Sequence, residues 1–269
     1  HPLKLHNFQL HLFHSETLSW TTMALPVAEP QQDLDCEIPT DRDLRCHNTS
    51  NVITIGGEYG TMGWVDLWDS MILCDVHVPA PSGEEEPPGP RPLRYVPLPE
   101  PMQPDNGLPL YGMSYTSSFF RDIAVARPDK FVDLQVHGEP GNPLSETPSG
   151  WTVVTWTMEG LRRDSVTLGD MRFKPEHEVH SCDIENYDLP KSVFVSNPIL
   201  SSHKDGILYL RTTVSRTTDR NSRVIAVDIK NKKLLKVGEF DMRRPNTYRR
   251  TTISSYLKPP GTMPSPPHY

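Results

Sequence analysis

Residues 63–99 read GWVDLWDSMILCDVHVPAPSGEEEPPGPRPLRYVPLP, and this stretch decides the fold. It contains three short runs, at 64–68, 71–76 and 93–96, that are rich in aromatic or branched apolar residues and are bounded by turn formers. Such runs are typical of β-strands. Residues 79–92 are rich in proline and glutamate, so they can neither continue a sheet nor form a core. The stretch therefore predicts three consecutive antiparallel strands with a long acidic insert at the second turn.

A hairpin of the same layout recurs near both ends of the chain. Residues 7–14 and 18–25 form one pair of alternating or apolar runs, and residues 223–229 and 233–240 form another. In both pairs a short polar segment joins the two runs, as is typical of antiparallel hairpins. The sequence therefore predicts a repeated unit, of which residues 63–99 are one copy with an insert at the turn.

Extending each hairpin towards the N-terminus gives units of four strands. The second unit gains a strand at 52–55, the fourth unit gains strands at 192–200 and 206–214, and the first unit shows only its last two strands. The third unit consists of strands at 120–126, 131–136 and 150–158, with a weak fourth strand around 166–168. The units recur roughly every 45 to 75 residues with inserts included, which is compatible with propeller blades of about 40 to 50 residues.

This repeat predicts an all-β fold, a kelch-like β-propeller of which about three and a half four-stranded blades are visible. One such sheet cannot bury both of its faces, whereas radially stacked sheets cover one another and leave only short edges exposed. The alternative is a β-sandwich, which would use the same strands in two stacked sheets without a radial repeat. In either case we expect few or no long helices, because the chain has 28 prolines and no sustained helical periodicity.

Composition narrows the class of protein. The formal net charge of −7 argues against a general nucleic-acid binder, which needs a basic face to offset phosphate repulsion. The apolar runs are far shorter than the roughly 20 residues that span a bilayer, so no membrane contact is expected. Four scattered cysteines without a CxxC pair are typical of a reducing compartment. We therefore expect an intracellular protein, in the cytoplasm or the nucleus.

The predicted domain covers residues 1–258 and is followed by a disordered, proline-rich tail at 259–269. The chain begins with His1 rather than methionine, a few residues before an apparent strand, which indicates a fragment that lacks an N-terminal segment. Connecting segments rich in proline, glycine or acidic residues are expected to be mobile linkers or partner-binding loops, at 26–50, 79–92, 99–109 and 138–149.

One cluster has the residue types of a metal site. His177, His180 and Cys182 could supply imidazole and thiolate ligands to zinc, with the two histidines on one side of a helical turn. Three or four ligands must converge on zinc, however, and the sequence offers no recognisable partner pair. The favoured interpretation is a surface loop between strands, and no metal is expected.

Other candidate motifs lack the spacing or the neighbouring residues that their chemistry requires. Cys36 and Cys46 fit no common zinc spacing and are interpreted as free thiols. Residues 56–60 (GGEYG) lack the Lys-Ser/Thr ending of a phosphate loop and are interpreted as a tight turn. No GxSxG elbow or comparable cysteine signature for nucleophilic catalysis is present. The sequence therefore predicts no catalytic residues, no cofactor and no metal site.

Two further groups of side chains receive structural interpretations. The five tryptophans are expected to lie in strands and to pack between sheets, with Trp64 and Trp68 on one strand face; the others are Trp20, Trp151 and Trp156. Four arginines at 243–244 and 249–250 form a basic patch that could contact an acidic partner or pair with a phosphorylated threonine. An ordinary solvated segment is the favoured interpretation of that patch.

Several motifs, in order along the chain, resemble those of one plant family. They are GWVDLW, ILCDV and LRYVPLP within residues 63–99, FFRD at 119–122, KFVDL at 130–134, GWTVVTW at 150–156 and VIAVD at 224–228. As an ordered set they closely resemble the domain of unknown function 1618 family, which is expanded chiefly in grasses. The sequence departs from the family after Trp156, where a short segment at 159–170 lacks the further tryptophan that members often show.

The resemblance implies an all-β, kelch-like intracellular plant protein with no established activity and no catalytic residues to carry over. Members also look similar to the propeller-like domains that follow F-box modules in plant ubiquitin-ligase adaptors, although no F-box-like helical segment is visible here. By this analogy we expect a non-enzymatic scaffold whose face loops bind another protein, within a ubiquitin-ligase or regulatory assembly. The alternative is an enzyme or small-molecule binder that uses the central channel of the propeller.

Overall fold

The structure is a computed structural model that describes residues 7–27, 47–56, 59–76, 92–102, 117–125, 130–138, 147–159, 172–185, 189–190, 193–201, 204–213 and 222–239. Within these ranges the chain forms 14 β-strands and two 3-10 helices of three residues each. Among the same residues, no helix is long and apolar enough to cross a membrane. The prediction of an all-β fold is confirmed.

The strands form four antiparallel sheets, and in each sheet neighbouring strands follow one another in the chain. The first sheet contains β1 (Asn7–His14) and β2 (Ser19–Pro26). The second contains β3 (Asn51–Gly56), β4 (Thr61–Asp66), β5 (Ser70–Asp75) and β6 (Arg94–Pro97). The third contains β7 (Arg121–Ala124), β8 (Lys130–His137), β9 (Gly150–Glu159) and β10 (Arg172–His180). The fourth contains β11 (Phe194–Leu200), β12 (Ile207–Thr213), β13 (Arg223–Asp228) and β14 (Lys233–Glu239).

The first, second and fourth predicted units correspond to these sheets strand for strand, with boundaries shifted by a few residues. The third unit differs at its last strand. Residues 166–168 lie outside the described residues, and the fourth strand is β10. The prediction of a surface loop around His177 and His180 is therefore wrong. β10 is an edge strand with most residues exposed, so its sequence does not alternate, and Pro175 is tolerated where the register against β9 shifts.

Trp68 also departs from its prediction. β4 ends at Asp66, and residues 67–69 form the turn to β5, so Trp68 does not share a strand face with Trp64. The Asp66 carboxylate accepts a hydrogen bond from the Trp68 N–H at 3.0 Å. An aspartate that bonds the backbone two residues further on stabilises a turn, which explains why the strand ends there.

Consecutive sheets are stacked face to face. The first sheet packs on the second through a cluster that includes Leu25 and Ile72. A cluster around Leu73 and Phe131 joins the second sheet to the third, and a cluster around Trp151 joins the third to the fourth. The second and third sheets therefore bury apolar residues on both faces. This explains why every residue of β5 is buried and why its sequence contains a continuous apolar run.

The connection from the first to the second sheet and the connection from the third to the fourth sheet each include a parallel bridge. Val27, just after β2, forms a parallel bridge with Leu93, just before β6. Glu185, which follows β10, forms a parallel bridge with Lys233 at the start of β14. In both places the chain that leaves the last strand of one sheet pairs with the start of the last strand of the next sheet. The step from the first to the second sheet thus shares a geometry with the step from the third to the fourth.

In the third and fourth sheets the first strands are buried and the last strands are exposed. β7 and β11 are buried along almost their whole length, and β11 packs against β7 and β8. The Asp122 carboxylate of β7 accepts a hydrogen bond from the Leu200 N–H of β11 at 3.1 Å. β10 and β14 are mostly exposed. The first strands of these two sheets therefore lie inside the molecule.

Several predictions fall outside the described residues. They concern most of the four connecting segments, Cys36 and Cys46, the arginines at 243–250, and the tail at 259–269.

Candidate interaction site

An exposed apolar patch lies on the outer face and turn of the first sheet. Phe13 and Trp20 are cross-strand partners with ring centroids 5.2 Å apart, and they are 49% and 69% exposed. Leu18, in the turn between β1 and β2, is 77% exposed. We call Phe13, Leu18 and Trp20 the hairpin patch. Large apolar side chains that are exposed together are uncommon on folded proteins and often mark interaction sites.

The alternation of the two strands creates this patch. The cluster between the first and second sheets contains Phe8, Leu10, Met23 and Leu25. Side chains alternate between the two faces of a strand, so Phe13 and Trp20 lie on the opposite face, towards solvent. Leu18 has a positive φ of 51°, a conformation that costs a residue with a Cβ about 1–2 kcal/mol. Glycine or asparagine would serve the turn better. Turn geometry therefore does not explain an apolar side chain at this position.

A hydrogen-bonded array of side chains crosses β8, β9 and β10. The Thr152 hydroxyl oxygen lies 2.7 Å from Nε2 of His137 and 2.8 Å from Nδ1 of His180. Nε2 of His180 lies 3.3 Å from the Glu178 carboxylate. Burial, and then the nearby His180, lower the pKa of His137. A hydroxyl has one proton, so Thr152 can donate to one ring while it accepts from the other.

A substrate has little access to the Thr152 hydroxyl that His137 and His180 share. Thr152 is only 3% exposed, so its hydroxyl is not presented to a substrate. The array also lies on the second, third and fourth strands of its sheet, and not on the buried first strand, β7. It therefore connects neighbouring strand ends and gives no support to a reaction centre in a central channel.

A buried ion pair lies within the third sheet, and its arginine connects this sheet to the second. Nη2 of Arg121 in β7 lies 3.0 Å from Oδ2 of Asp133 in β8, and both side chains are excluded from solvent. Arg121 also donates hydrogen bonds to the carbonyl oxygens of Leu67 and Pro99, which follow β4 and β6. Its guanidinium lies 4.8 Å from the centre of the Phe131 ring. Burial raises the pKa of Asp133, and the charge of Arg121 opposes this rise. The pair is a structural connection between two sheets.

A second charged network joins the third and fourth sheets. Nζ of Lys130 lies 2.7 Å from the Glu176 carboxylate and 2.6 Å from the Asp205 carboxylate, and Lys230 also pairs with Asp205. Burial alone would raise the pKa of Asp205, but hydrogen bonds from Lys130 and Lys230 lower it to about 2. Burial alone would lower the pKa of Lys130, but its two carboxylate partners raise it. The network therefore stays ionised at neutral pH and holds the turn before β12 against the start of β8.

This network should lose its stabilising effect in acid. The pKa of Asp205 is about 2 in the folded protein against an ordinary 3.8, so the unfolded state binds more protons between these values and stability falls as the pH falls. We expect the free energy of unfolding, from urea titrations at about pH 5 to pH 2, to fall more steeply for the wild type than for Asp205→Asn. Glu159→Gln is a control, because Glu159 belongs to an exposed pair with Lys174 at 3.7 Å. Equal slopes for the wild type and Asp205→Asn would contradict this assignment.

The sequence profile of one family, described as Protein of unknown function (DUF1618), matches residues 64–209, which is more than half of the chain. The chain belongs to the DUF1618 family. No curated protein matches the chain, and no solved structure does. The matched region of this DUF1618 protein runs from β4 into β12 and includes the whole third sheet. The hairpin patch lies outside the matched region.

The candidate zinc ligands considered in the sequence of this DUF1618 protein do not converge. His177 and His180 lie in β10 at an odd spacing, so their side chains point to opposite faces of the strand. Cys182 lies in the 3-10 helix that follows and is exposed. Among the described residues, no group of three or more His, Cys, Asp or Glu side chains is placed to hold a metal ion.

Two other features of the DUF1618 protein, the thiol of Cys74 and the glycine-rich segment at 56–60, have structural explanations. Burial, and then the nearby Asp75, raise the pKa of Cys74 to about 11, so its thiol stays protonated and is a poor nucleophile at neutral pH. Gly56 and Gly60 have positive φ values of 75° and 58°, and a strand, not a helix, follows them. This agrees with the predicted tight turn, because a phosphate loop requires a helix at that point.

Sequence reasoning missed the hairpin patch of the DUF1618 protein. The prediction that every tryptophan packs between sheets holds for Trp151, which is 2% exposed, and is wrong for Trp20. The available signal was the register of the first hairpin. Phe8 and Leu10 define the inner face of β1, so Phe13 belongs to the opposite face, and the short turn sets Trp20 across from it.

Proposed function

We propose that this DUF1618 protein is a non-enzymatic interaction scaffold, built as part of a kelch-like β-propeller, that binds another protein through the hairpin patch. The observation that carries the proposal is the exposure of Phe13, Leu18 and Trp20 on a hairpin whose other face is anchored in the core. A rigid strand pair presents these side chains with little entropy left to lose on binding.

The radial arrangement is supported by three features of the fold. Each of the three apolar clusters joins two sheets that are consecutive in the chain. The parallel bridges Val27–Leu93 and Glu185–Lys233 repeat one inter-sheet step. The first strands β7 and β11 meet inside the molecule. A sandwich has two stacked sheets, whereas the succession of four stacked sheets, with the first strands innermost in two of them, is typical of blades around an axis.

The chemistry of the hairpin patch favours a protein partner. Tryptophan is among the residues that dominate the binding energy of protein interfaces, especially where neighbouring side chains exclude water around it. Phe13 provides such a neighbour beside Trp20, and Leu18 extends the apolar surface around the turn. We therefore place Trp20 at the centre of the proposed contact.

The cellular context of the proposal rests on family resemblance. Similarity to the propeller-like domains that follow F-box modules supports a place in a ubiquitin-ligase or regulatory assembly of a plant cell, in the cytoplasm or the nucleus. A shared fold does not specify function, so recovery of ubiquitin-ligase subunits is the test of this part of the proposal.

The test compares partner recovery by the wild type, Trp20→Ser and Leu235→Ser, each purified by affinity from plant tissue and quantified by mass spectrometry. Leu235 is a matched control, because it is 50% exposed but lies on β14, far along the chain from the hairpin patch. Truncation at the centre of an interface typically costs about 2 kcal/mol or more, which corresponds to roughly 30-fold weaker binding. We expect Trp20→Ser to lose the reproducible partners and Leu235→Ser to retain them, with ubiquitin-ligase subunits among the recovered proteins.

Two results would count against the proposal. Recovery of the same proteins at the same level by the wild type and Trp20→Ser would remove the hairpin patch from the interface. Failure of the wild type to recover any reproducible protein would argue against a scaffold of any kind.

A further inference from the structure

Two histidines of the third sheet share one hydroxyl group. The Thr152 oxygen in β9 lies 2.7 Å from Nε2 of His137 in β8 and 2.8 Å from Nδ1 of His180 in β10. Thr152 is buried, His137 is half-buried and His180 is exposed. We call these three side chains the histidine array. The array joins the end of β8, the start of β9 and the end of β10.

The histidine array accommodates one protonated ring but not two. With one ring protonated, its nitrogen donates to the Thr152 oxygen, and the hydroxyl donates to the unprotonated nitrogen of the other ring. With both rings protonated, both nitrogens are donors and the hydroxyl has to accept twice. Its own proton then has no acceptor within the array, and two positive charges face one buried oxygen atom. The second proton therefore leaves a buried donor unsatisfied and adds repulsion.

The charges around the histidine array balance one protonated ring at His180. The Glu178 carboxylate lies 3.3 Å from Nε2 of His180. Asp183 also faces His180, but its carboxylate is paired with Lys232 at 2.9 Å. Burial, and then His180, lower the pKa of His137, and no carboxylate of the described residues raises it. A proton on His137 is therefore the one that the array does not tolerate.

The chain that follows His180 is fixed to the third sheet at its first residue. The Ser181 hydroxyl oxygen accepts a hydrogen bond from the Trp151 N–H at 3.1 Å, next to Thr152 in β9. A Cβ at Gly150 would lie 2.9 Å from this oxygen, so the glycine allows Ser181 to approach the strand closely. The position of Ser181 thus depends on the pairing of β10 with β9 at this end.

The same segment is fixed to the fourth sheet at its other end. Glu185 forms the parallel bridge with Lys233 at the start of β14, and Asp183 pairs with Lys232 in the preceding turn. We call residues 181–185 the linking segment, because it runs from the third sheet to the fourth. Release of its first end would leave the contacts at its second end in place.

We propose that the histidine array is a pH-sensitive latch on the linking segment. The latch is closed while at most one ring is protonated, and it opens in mildly acidic solution, when both rings are protonated and the end of β10 separates from β9. β10 is an edge strand, so its end can separate without breaking another strand pair. Val179, which is buried between the third and fourth sheets, limits the opening to the residues that follow it. This device goes beyond the proposed scaffold function and does not use the hairpin patch.

The direction of the pH dependence follows from His137. The pKa of His137 lies below the ordinary 6.5 in the closed array, so the open array binds more protons between the two values. The closed state is therefore fully stable above about pH 6.5 and weakens as the pH falls below that value. At about pH 5.5, one unit below the ordinary pKa, His137 favours opening by up to about tenfold.

Hydrogen exchange of the full chain at about pH 7.5 and about pH 5.5, followed by mass spectrometry, tests the latch. Each rate is divided by the intrinsic rate of an unstructured peptide at the same pH, so that only protection is compared. We expect the protection of residues 178–185 to fall by about five- to tenfold at the lower pH. The protection of residues 207–213, in β12 of the fourth sheet, should change by about twofold or less.

Substitutions by amides remove the titration and keep a hydrogen-bonding group. A glutamine amide can take the place of Nε2, and an asparagine amide can take the place of Nδ1. His137→Gln and His180→Asn should therefore each make the protection of residues 178–185 nearly independent of pH. Thr152→Val removes the shared hydroxyl and should lower this protection at both pH values. His11→Asn is a matched control that should keep the wild-type response, because His11 contacts Thr22 at 2.8 Å across an exposed hairpin as a single histidine.

Three results would overturn the latch. One is equal protection of residues 178–185 at the two pH values in the wild type. Another is a wild-type loss of protection that persists in full in folded His137→Gln or His180→Asn. The third is a loss of the same size in all four sheets, which would be general acid unfolding. None of these measurements involves the hairpin patch, so failure of the latch is distinguishable from failure of the proposed function.

Discussion

Replacing Arg121 with methionine is expected to lower the free energy of unfolding by about 3–5 kcal/mol. Arg121 and Asp133 are both fully buried, so removal of the cation leaves a carboxylate without a charge partner in a site that excludes water. The same change removes the hydrogen bonds to the carbonyl oxygens of Leu67 and Pro99, which anchor the second sheet to the third. Urea unfolding at neutral pH measures the loss.

Two further variants make the Arg121 prediction specific. Lys174→Met removes the cation of an exposed pair and should change stability by about 1 kcal/mol or less. The double variant Arg121→Met with Asp133→Leu replaces both charges by apolar groups and should recover part of the lost stability, because no buried charge remains unpaired. A loss below about 1 kcal/mol for Arg121→Met would show that the ion pair does not hold the two sheets together.

Truncation of Trp151 to alanine is expected to cost about 3–5 kcal/mol. Trp151 is the largest fully buried side chain of the described residues, and it lies in the cluster between the third and fourth sheets. The cavity left by the indole cannot close without moving two sheets that are also joined by the Lys130 network.

Trp20→Ala is the matched control for Trp151. The residue type and the substitution are the same, but Trp20 is 69% exposed, so its loss should change stability by about 0.5 kcal/mol or less. Chemical unfolding followed by circular dichroism compares the two variants without relying on a single tryptophan signal. Similar losses for both variants would contradict the assignment of Trp151 to the core and of Trp20 to the surface.

The sequence predicts a strand well in two cases. Either one face of the strand is buried and the other is exposed, or both faces are buried. β1 alternates because one face meets the second sheet and the other meets solvent. β5 is apolar from Met71 to Cys74 because sheets cover it on both sides. In both cases the burial of each residue is regular along the strand, so the pattern of residue types records it directly.

The edge strand β10 could not be predicted in this way. Its residues are mostly exposed on both faces, so RFKPEHEVH carries little periodic signal, and its strand conformation is imposed by pairing with β9. The same limit applies to the hairpin patch. Whether Trp20 is covered depends on which sheet packs against which face, and that is a property of the tertiary structure.

Contacts between distant parts of the chain were also beyond prediction. Arg121 bonds the carbonyl oxygen of Leu67 across 54 residues, and nothing in the residue types near Arg121 specifies that partner. Val52 is a similar case, because it has the residue type of a buried strand position but is 49% exposed.

The bridge between Val27 and Leu93 has a consequence for the tolerance of this chain to changes in length. The Leu93 N–H donates to the Pro26 carbonyl oxygen at 2.9 Å, and Tyr95 is held opposite Ile72 in the second sheet. Both ends of the interval between β5 and β6 are therefore fixed by the sheets, whatever number of residues connects them. Doubling the length of such a connection costs only about 0.6 kcal/mol. Insertions and deletions among family members should accumulate between these two strands, and this interval is the natural place to graft a tag or a foreign domain.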